Sequence, residues 1–255
     1  MTLIVAGLVS KRELFLGADS RLSSGTATWD YATKIFRLYP TEDYVAYCGQ
    51  SLQALLAISQ GLQLLANTSI LGKSGSADTP QITARAAAFF DHMQEIMTHF
   101  PPAWGKSCEL LMAGYNHRLK RPSLYRLALG TEPKEPAEIP MEEQWFECMG
   151  SGASLAEPIL KARTPPKSGK DVYDTVYQVI EGKKEATVGG CVQMAVIREG
   201  SSRTIGFQMD QALRVVMGFP ARFASGMPKV LWFDPNFKRV RASQTVRRHM
   251  AKRAK

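Results

Sequence analysis

The chain has 255 residues, of which 45% are hydrophobic and 22% are charged. This length can bury one substantial core but is too short for two full-sized domains. The sequence has no run of eighteen apolar residues, and its opening residues lack the pattern of a secretory leader, so we expect a cytoplasmic protein with no membrane segment.

The formal net charge of +9 is distributed unevenly. Eight of the 32 Lys and Arg residues lie from Lys238 onward, where there is no Asp or Glu, and the other 24 nearly balance the 23 acidic residues. The basic character therefore belongs to a C-terminal tail, and the globular part is nearly neutral. We expect the tail to be solvated, and binding of the tail to an acidic partner or to nucleic acid stays open.

Cysteine and histidine spacing gives no sign of a metal site or a disulfide. The four cysteines, Cys48, Cys108, Cys148 and Cys191, stand singly, and the four histidines lack metal-ligand spacing. Neither a P-loop nor a dinucleotide fingerprint occurs. We predict no metal and no cofactor.

Apolar patterning predicts strands and helices in alternating groups. In chain order, strands are predicted over 3–10, 14–18, 27–37 and 44–48, helices over 51–66 and 80–100, strands over 108–116, 123–130 and 145–150, helices over 153–162 and 171–180, and a closing hairpin over 191–209. A Gly/Ser-rich loop is predicted over 69–78. This order favours an α+β sandwich with helices covering two packed sheets.

Thr2 is the most informative single residue, because it follows the initiator methionine and precedes an apolar strand. Removal of Met1 would leave one residue with both a hydroxyl and a free α-amine. A hydroxyl needs a base within hydrogen-bond reach to act as a nucleophile. An α-amine with a pKa of about 7.7–8.0 is close to a useful base at neutral pH.

Four further sequence blocks accompany Thr2. They are Gly17-Ala18-Asp19-Ser20-Arg21, Ala32-Thr33-Lys34-Ile35-Phe36 with Tyr47-Cys48-Gly49, Gly150-Ser151-Gly152, and Val188-Gly189-Gly190 followed by CVQMAVI. Together with Thr2 they resemble the proteasome β-subunits and their bacterial relatives, which are N-terminal-nucleophile (Ntn) hydrolases. The resemblance covers roughly residues 2 to 207.

The resemblance implies a fold and a domain boundary. It implies a four-layer αββα sandwich of two antiparallel sheets flanked by helices. The proteasome-like domain would span residues 1–207, and residues 208–255 would form a C-terminal extension with a basic tail.

The resemblance also implies a role for each residue that matches the family's motifs. Thr2 would be the nucleophile, Lys34 a fixed cation beside it, Asp19 the partner of Lys34, Arg21 a brace for the same turn, Gly49 an N–H donor to the oxyanion, and Ser151 a positioning group for the α-amine. Glu185 stands where the family has an aspartate. Val188 replaces the family's serine, which removes one hydroxyl from the expected network.

The resemblance places the floor of the substrate pocket at Tyr47, with Leu22 and Ala32 nearby. A bulky tyrosine there predicts a shallow pocket that favours small or medium side chains.

Three functions remain open at this level. The first is a threonine-type endopeptidase that cleaves peptides or unfolded proteins, assembled as a homo-oligomeric ring or related assembly, with an ATP-driven unfoldase as a candidate partner. The second is an amidase or peptide ligase using the same acyl intermediate. The third is a catalytically silent assembly or nucleic-acid-binding subunit.

Overall fold

The computed structural model describes residues 2–24, 27–49, 51–66, 81–101, 108–130, 135–142, 145–163, 166–209, 214–220 and 230–240. The loop predicted at 69–78 and the basic tail after residue 240 lie outside these ranges.

The chain begins with the predicted hairpin, formed by β1 (Ile4–Ser10) and β2 (Glu13–Ala18). β10 (Phe146–Met149) pairs with β1, and β11 (Gln193–Ile197) pairs with β2. The hairpin therefore lies inside a sheet and is covered on both faces, which explains its nearly continuous apolar sequence.

The C-terminal segment extends this same sheet. β12 (Arg203–Gln208) pairs with β11, β13 (Arg214–Val216) pairs with β12, and β14 (Phe219–Pro220) pairs with β13. β15 (Val230–Phe233) joins the other side of β12 in parallel. Residues beyond the predicted boundary at 207 thus continue the sheet of the residues before it.

Two smaller sheets complete the strand structure of the described residues. One has the order β5 (Ile35–Leu38), β6 (Asp43–Gly49), β7 (Cys108–Asn116), β8 (Arg121–Leu129) and β9 (Ala137–Glu138), all antiparallel. The other is a short hairpin of β3 (Leu22–Ser24) and β4 (Ala27–Trp29).

The described residues contain four helices, and each confirms a predicted helix. They are α1 (Ser51–Ala66), α2 (Ile82–Thr98), α3 (Ala153–Lys161) and α4 (Gly169–Gly182). α1 and α2 contact the five-stranded sheet, whereas α3 and α4 contact β1, β2 and β10. No helix in the described ranges combines the length and apolar character needed to cross a membrane.

A core between the two larger sheets fixes how they face each other. Ile4, Ala6 and Leu16 of the first sheet pack in one buried cluster with Tyr44 and Leu111 of the second. Burial of apolar surface stabilises a fold by about 25 cal/mol for each Å² that is removed from water. Because β1, β2, β5 and β6 all carry this core, the ends of these strands nearest Thr2 lie close together.

The predicted fold class requires correction. The structure is mostly β, with 39% of the described residues in strands and 27% in helices. Its described strands form three sheets instead of two, and the β12–β15 pair is parallel. A four-layer αββα sandwich of two antiparallel sheets flanked by helices is therefore wrong, because the C-terminal segment and the β3–β4 hairpin add strands that the pattern did not reveal.

The single strand predicted over 27–37 is also wrong. β4 ends at Trp29 and β5 begins at Ile35, so five residues between them leave the ladder. Asp30 lies at this break and pairs with Arg21. The break matters because Lys34 is carried by the connecting segment and turns into the interior, where it is completely buried.

A buried ion pair joins α2 to the five-stranded sheet. Arg85 Nε and Nη2 each lie 2.7 Å from a carboxylate oxygen of Asp43, and both side chains are almost fully buried. Gly114 leaves room for the carboxylate, since a Cβ at that position would lie 2.1 Å from Asp43 Oδ1.

We expect Arg85→Met to lower the free energy of unfolding by about 3–5 kcal/mol, because it leaves the Asp43 carboxylate buried without its cation. The double variant Asp43→Leu/Arg85→Met should recover most of this loss. Urea denaturation measures both. Lys161→Met, which breaks the exposed Lys161–Glu157 pair, is the control and should cost about 0–1 kcal/mol. Equal losses in the single and double variants would contradict the expectation.

Candidate active site

The carboxylate of Asp19, at the end of β2, receives five hydrogen bonds. Thr2 Oγ1, Leu3 N and Lys34 Nζ donate to Oδ1 at 2.7, 2.9 and 2.8 Å. The N–H groups of Arg21 and Gly189 donate to Oδ2 at 3.1 and 3.0 Å. A carboxylate accepts about four bonds, so this buried anion is fully satisfied.

Thr2 lies where its hydroxyl meets both members of a buried ion pair. Its Oγ1 donates to Asp19 and accepts a hydrogen bond from Lys34 Nζ. The β1–β2 pairing continues one residue past Ile4, where the N–H of Asp19 donates to Leu3 O at 3.3 Å. Thr2 is therefore held beside Asp19 by strand pairing as well as by its side chain.

Lys34 is a completely buried cation, paired with Asp19. Burial lowers the pKa of Lys34 below its ordinary value of 10.5, and the charge of Asp19 and its hydrogen bond oppose this shift. Such a group has two chemical capabilities. It stabilises negative charge on Thr2 Oγ1, and it releases a proton more readily than an exposed lysine does.

The predicted Gly150-Ser151-Gly152 block surrounds the backbone of Thr2. Gly150 has φ +91°, and a Cβ there would lie 2.0 Å from Thr2 O. The N–H of Gly152 and the hydroxyl of Ser151 donate to the same carbonyl at 3.4 and 3.5 Å. Gly150 is thus required by its close approach to the candidate nucleophile, Gly152 packs against Leu3 and Val188, and Ser151 lies next to Thr2.

A threonine that the sequence analysis did not select links Ser151 to Glu185. Thr187 Oγ1 lies 2.8 Å from Ser151 Oγ and donates to Glu185 Oε1 at 2.6 Å. Val188 is buried beside Gly152 and Leu3 instead of taking part in this network. The hydroxyl of Thr187, one residue before Val188, therefore joins Ser151 and Glu185 in one hydrogen-bonded network beside the backbone of Thr2.

Arg21 braces the site through a second residue that sequence reasoning missed. Its Nε and Nη2 lie 2.6 and 3.0 Å from the two carboxylate oxygens of Asp30. Nη1 donates to Ala186 O at 3.1 Å. These bonds link the turn after β2 to the segment before β5, which carries Lys34. They also link this turn to the 185–189 loop, whose Gly189 donates to Asp19.

Gln193 is the third missed residue, and it joins the two charged segments. Its amide nitrogen donates to Asp19 O and Ala32 O at 3.0 and 2.8 Å, and its oxygen accepts from Lys34 N at 2.9 Å. A glutamine inside the apolar run CVQMAVI was a usable signal, because a buried side-chain amide must be paired. Thr187 and Asp30 carried no comparable signal.

The remaining predicted residues lie around Thr2, Asp19 and Lys34. Tyr47 N donates to Lys34 O at 3.3 Å. Gly49 follows Tyr47 by two residues and is the last residue of β6, with φ +98°. Ala32 and Tyr47 are fully buried, and Leu22 packs against the cluster that contains Tyr47. Burial raises the pKa of Tyr47 above its ordinary value of 10.0, with the charge of Asp19 adding to the effect.

Comparison with known proteins does not assign the chain to a family. No protein-family model matches it, and a search of curated proteins finds no significant match.

The hydroxyl and the N–H of Thr187 lower the pKa of Glu185 below its ordinary value of 4.5. Glu185 therefore contributes stability above about pH 4.5 that is lost as pH falls through its folded pKa. We expect Thr187→Val to raise the pKa of Glu185 toward 4.5, as measured by NMR titration. The difference in unfolding free energy between this variant and the wild type should narrow below that pH.

Thr187→Ser keeps the hydroxyl and is the matched control. A titration of Glu185 that is identical in the wild type and in Thr187→Val would contradict this network.

Proposed function

We propose that this protein is a threonine-type endopeptidase, with Thr2 as its nucleophile after removal of Met1. The observation that carries the proposal is the buried contact of Thr2 Oγ1 with both Lys34 and Asp19. A hydroxyl at the second position of the chain has here both a cation and a hydrogen-bond acceptor. The resemblance of the surrounding motifs to the proteasome β-subunits supports the same function.

The proposed reaction proceeds in two stages. Oγ1 of Thr2 attacks the carbonyl carbon of a peptide while its proton passes to the α-amine that Met1 removal exposes. The C–N bond then breaks, the amine returns the proton to the leaving nitrogen, and an ester remains on Thr2. Water, deprotonated by the same amine, attacks this ester and restores the free hydroxyl.

The described residues have separate parts in this proposal. Lys34 stabilises the developing alkoxide on Oγ1, and Asp19 holds Lys34 in position. The Ser151–Thr187–Glu185 network adjoins the backbone of Thr2 and orients the amine. Gly49 N–H is the proposed oxyanion donor, a role in which one donor is worth about 2.7–4 kcal/mol.

Access to the nucleophile sets a further requirement. Thr2 is only 1% exposed. A substrate carbonyl therefore reaches Oγ1 only when the residues that cover Thr2 move or are removed. The homo-oligomeric assembly, an ATP-driven unfoldase partner and the preference for small or medium side chains near Tyr47 are further proposals that rest on the family resemblance.

We expect a peptide epoxyketone to add once to the purified protein, at Thr2, because this reagent closes a ring with a hydroxyl and a free α-amine on the same residue. Intact mass spectrometry would detect loss of Met1 and the single adduct. Thr2→Ala should give no adduct, and Thr2→Ser, which keeps a hydroxyl, should give one. Retained Met1 without an adduct would overturn the proposal, whereas transfer of an acyl group to an added amine in place of hydrolysis would redirect it to a ligase.

Lys34 should also set the pH dependence of peptide cleavage. Activity requires its cationic form, so kcat should fall as pH rises through the pKa of Lys34, which lies below 10.5. Stability should change in the opposite sense. Between the folded and unfolded pKa values the unfolded chain binds more protons, so the free energy of unfolding rises with pH. Steady-state rates and urea denaturation across pH 7–11 measure the two trends.

Lys34→Met should lower kcat by about 10²–10³-fold, the usual cost of losing one preorganised electrostatic group. Because this variant leaves Asp19 unpaired, Asp19→Asn/Lys34→Met is a second, better-folded variant that should be equally inactive. Lys161→Met, at an exposed helix position, is the control. Wild-type activity in the folded double variant would contradict the role of Lys34.

A further inference from the structure

The C-terminal segment contains a tight hairpin turn between β13 and β14. Val216 pairs with Phe219, so only Met217 and Gly218 form the turn. Both have positive φ, of 52° and 80°. Two consecutive residues of this kind are typical of a two-residue hairpin whose twist matches the flanking strands.

This turn touches the residue that precedes Lys34. Thr33 Oγ1 donates to Met217 O at 3.0 Å, across 184 positions of sequence. Thr33 lies on the segment between β4 and β5, which has no strand partner of its own. The hairpin therefore supplies a fixed point for a part of the chain that strand pairing does not hold.

Gly218 approaches the site more closely than any residue with a side chain could. A Cβ on Gly218 would lie 2.8 Å from Ser20 Cβ, 2.9 Å from Ala32 O and 3.2 Å from Gln193 Nε2. Ala32 O and Ser20 Cβ cannot move away on a flexible side chain, because the first is a backbone oxygen and the second is bonded directly to Cα.

The contact point is the junction of the two segments that carry the ion pair. Ala32 N donates to Ser20 O at 2.9 Å, which links the segment after Asp19 to the segment before Lys34. Gln193 bridges the same two segments. Gly218 lies against all three of these residues.

We propose that the Met217–Gly218 turn positions Lys34 against Asp19 and Thr2, with Gly218 as the positioning residue. This inference rests on the proposed function for its effect on catalysis. The C-terminal extension is then part of the catalytic apparatus without contacting substrate. A shift of the junction would lengthen the contacts of Lys34 Nζ and weaken its effect on the nucleophile.

The test compares two glycine substitutions in the full-length protein. Gly218→Ala introduces both a positive-φ strain and the close contacts. Gly200→Ala introduces a similar strain at φ +58°, but nothing lies within 4 Å of its added Cβ. Gly200 is in the β11–β12 turn, at the opposite end of β11 from Gln193.

Three measurements separate positioning from stability. We expect Gly218→Ala to reduce kcat for a fluorogenic peptide by about 100-fold, the cost of a misplacement of about 1 Å, with KM little changed. The alkaline limb of its pH profile should move, because the surroundings of Lys34 change. Lys34 should also become reactive toward formaldehyde and cyanoborohydride, as shown by peptide mass spectrometry, whereas it should stay protected in the wild type and in Gly200→Ala.

Thr33 provides a milder variant if Gly218→Ala fails to fold. Thr33→Val should lower kcat and increase labelling of Lys34, and Thr33→Ser, which keeps the hydroxyl, should restore both. The proposal is overturned if Gly218→Ala and Thr33→Val match Gly200→Ala in rate, pH profile and labelling. If the wild type cleaves no peptide while labelling of Lys34 still depends on Gly218 and Thr33, the proposed function fails and the positioning role stands.

Discussion

A buried ion pair between Lys34 and Asp19 is the interaction on which the rest of the site depends. Removing two charges from water costs several kcal/mol for each ion, and mutual attraction repays this only when the remaining donors and acceptors are satisfied. Asp19 meets this condition with five hydrogen bonds. The donors come from four separate segments of the chain, so satisfying one carboxylate brings those segments together.

The ion pair also explains why a hydroxyl at this place would be reactive. Thr2 Oγ1 contacts both Lys34 and Asp19, and all three side chains are almost completely buried from solvent. In such surroundings a nearby cation acts more strongly than it does in solvent. The same exclusion from water thus makes the two charges costly to bury and strengthens the proposed effect of Lys34 on Thr2.

Other parts of the molecule hold this arrangement through backbone geometry. Gly150 and Gly218 each approach so closely that no side chain fits, the first against Thr2 and the second against Ser20 and Ala32. Thr187, one residue before the buried Val188, links Ser151 to Glu185 through its hydroxyl. The C-terminal hairpin, which lies outside the residues that resemble the family, contacts the segment before Lys34 through Thr33.

Local periodicity in the sequence by itself determined the four helices and the first hairpin. The proximity of Thr2, Asp19, Lys34 and Ser151 was an expectation from the family resemblance, and the contacts of these residues appear in the structure. The sequence did not determine the sheet count, the break after Trp29 or the contacts of Asp30, Thr187 and Gln193. Strand partners and buried hydrogen bonds join residues far apart in the chain, as Thr33 and Met217 are. Only the tertiary structure decided them, because no local pattern records which distant groups must satisfy each other.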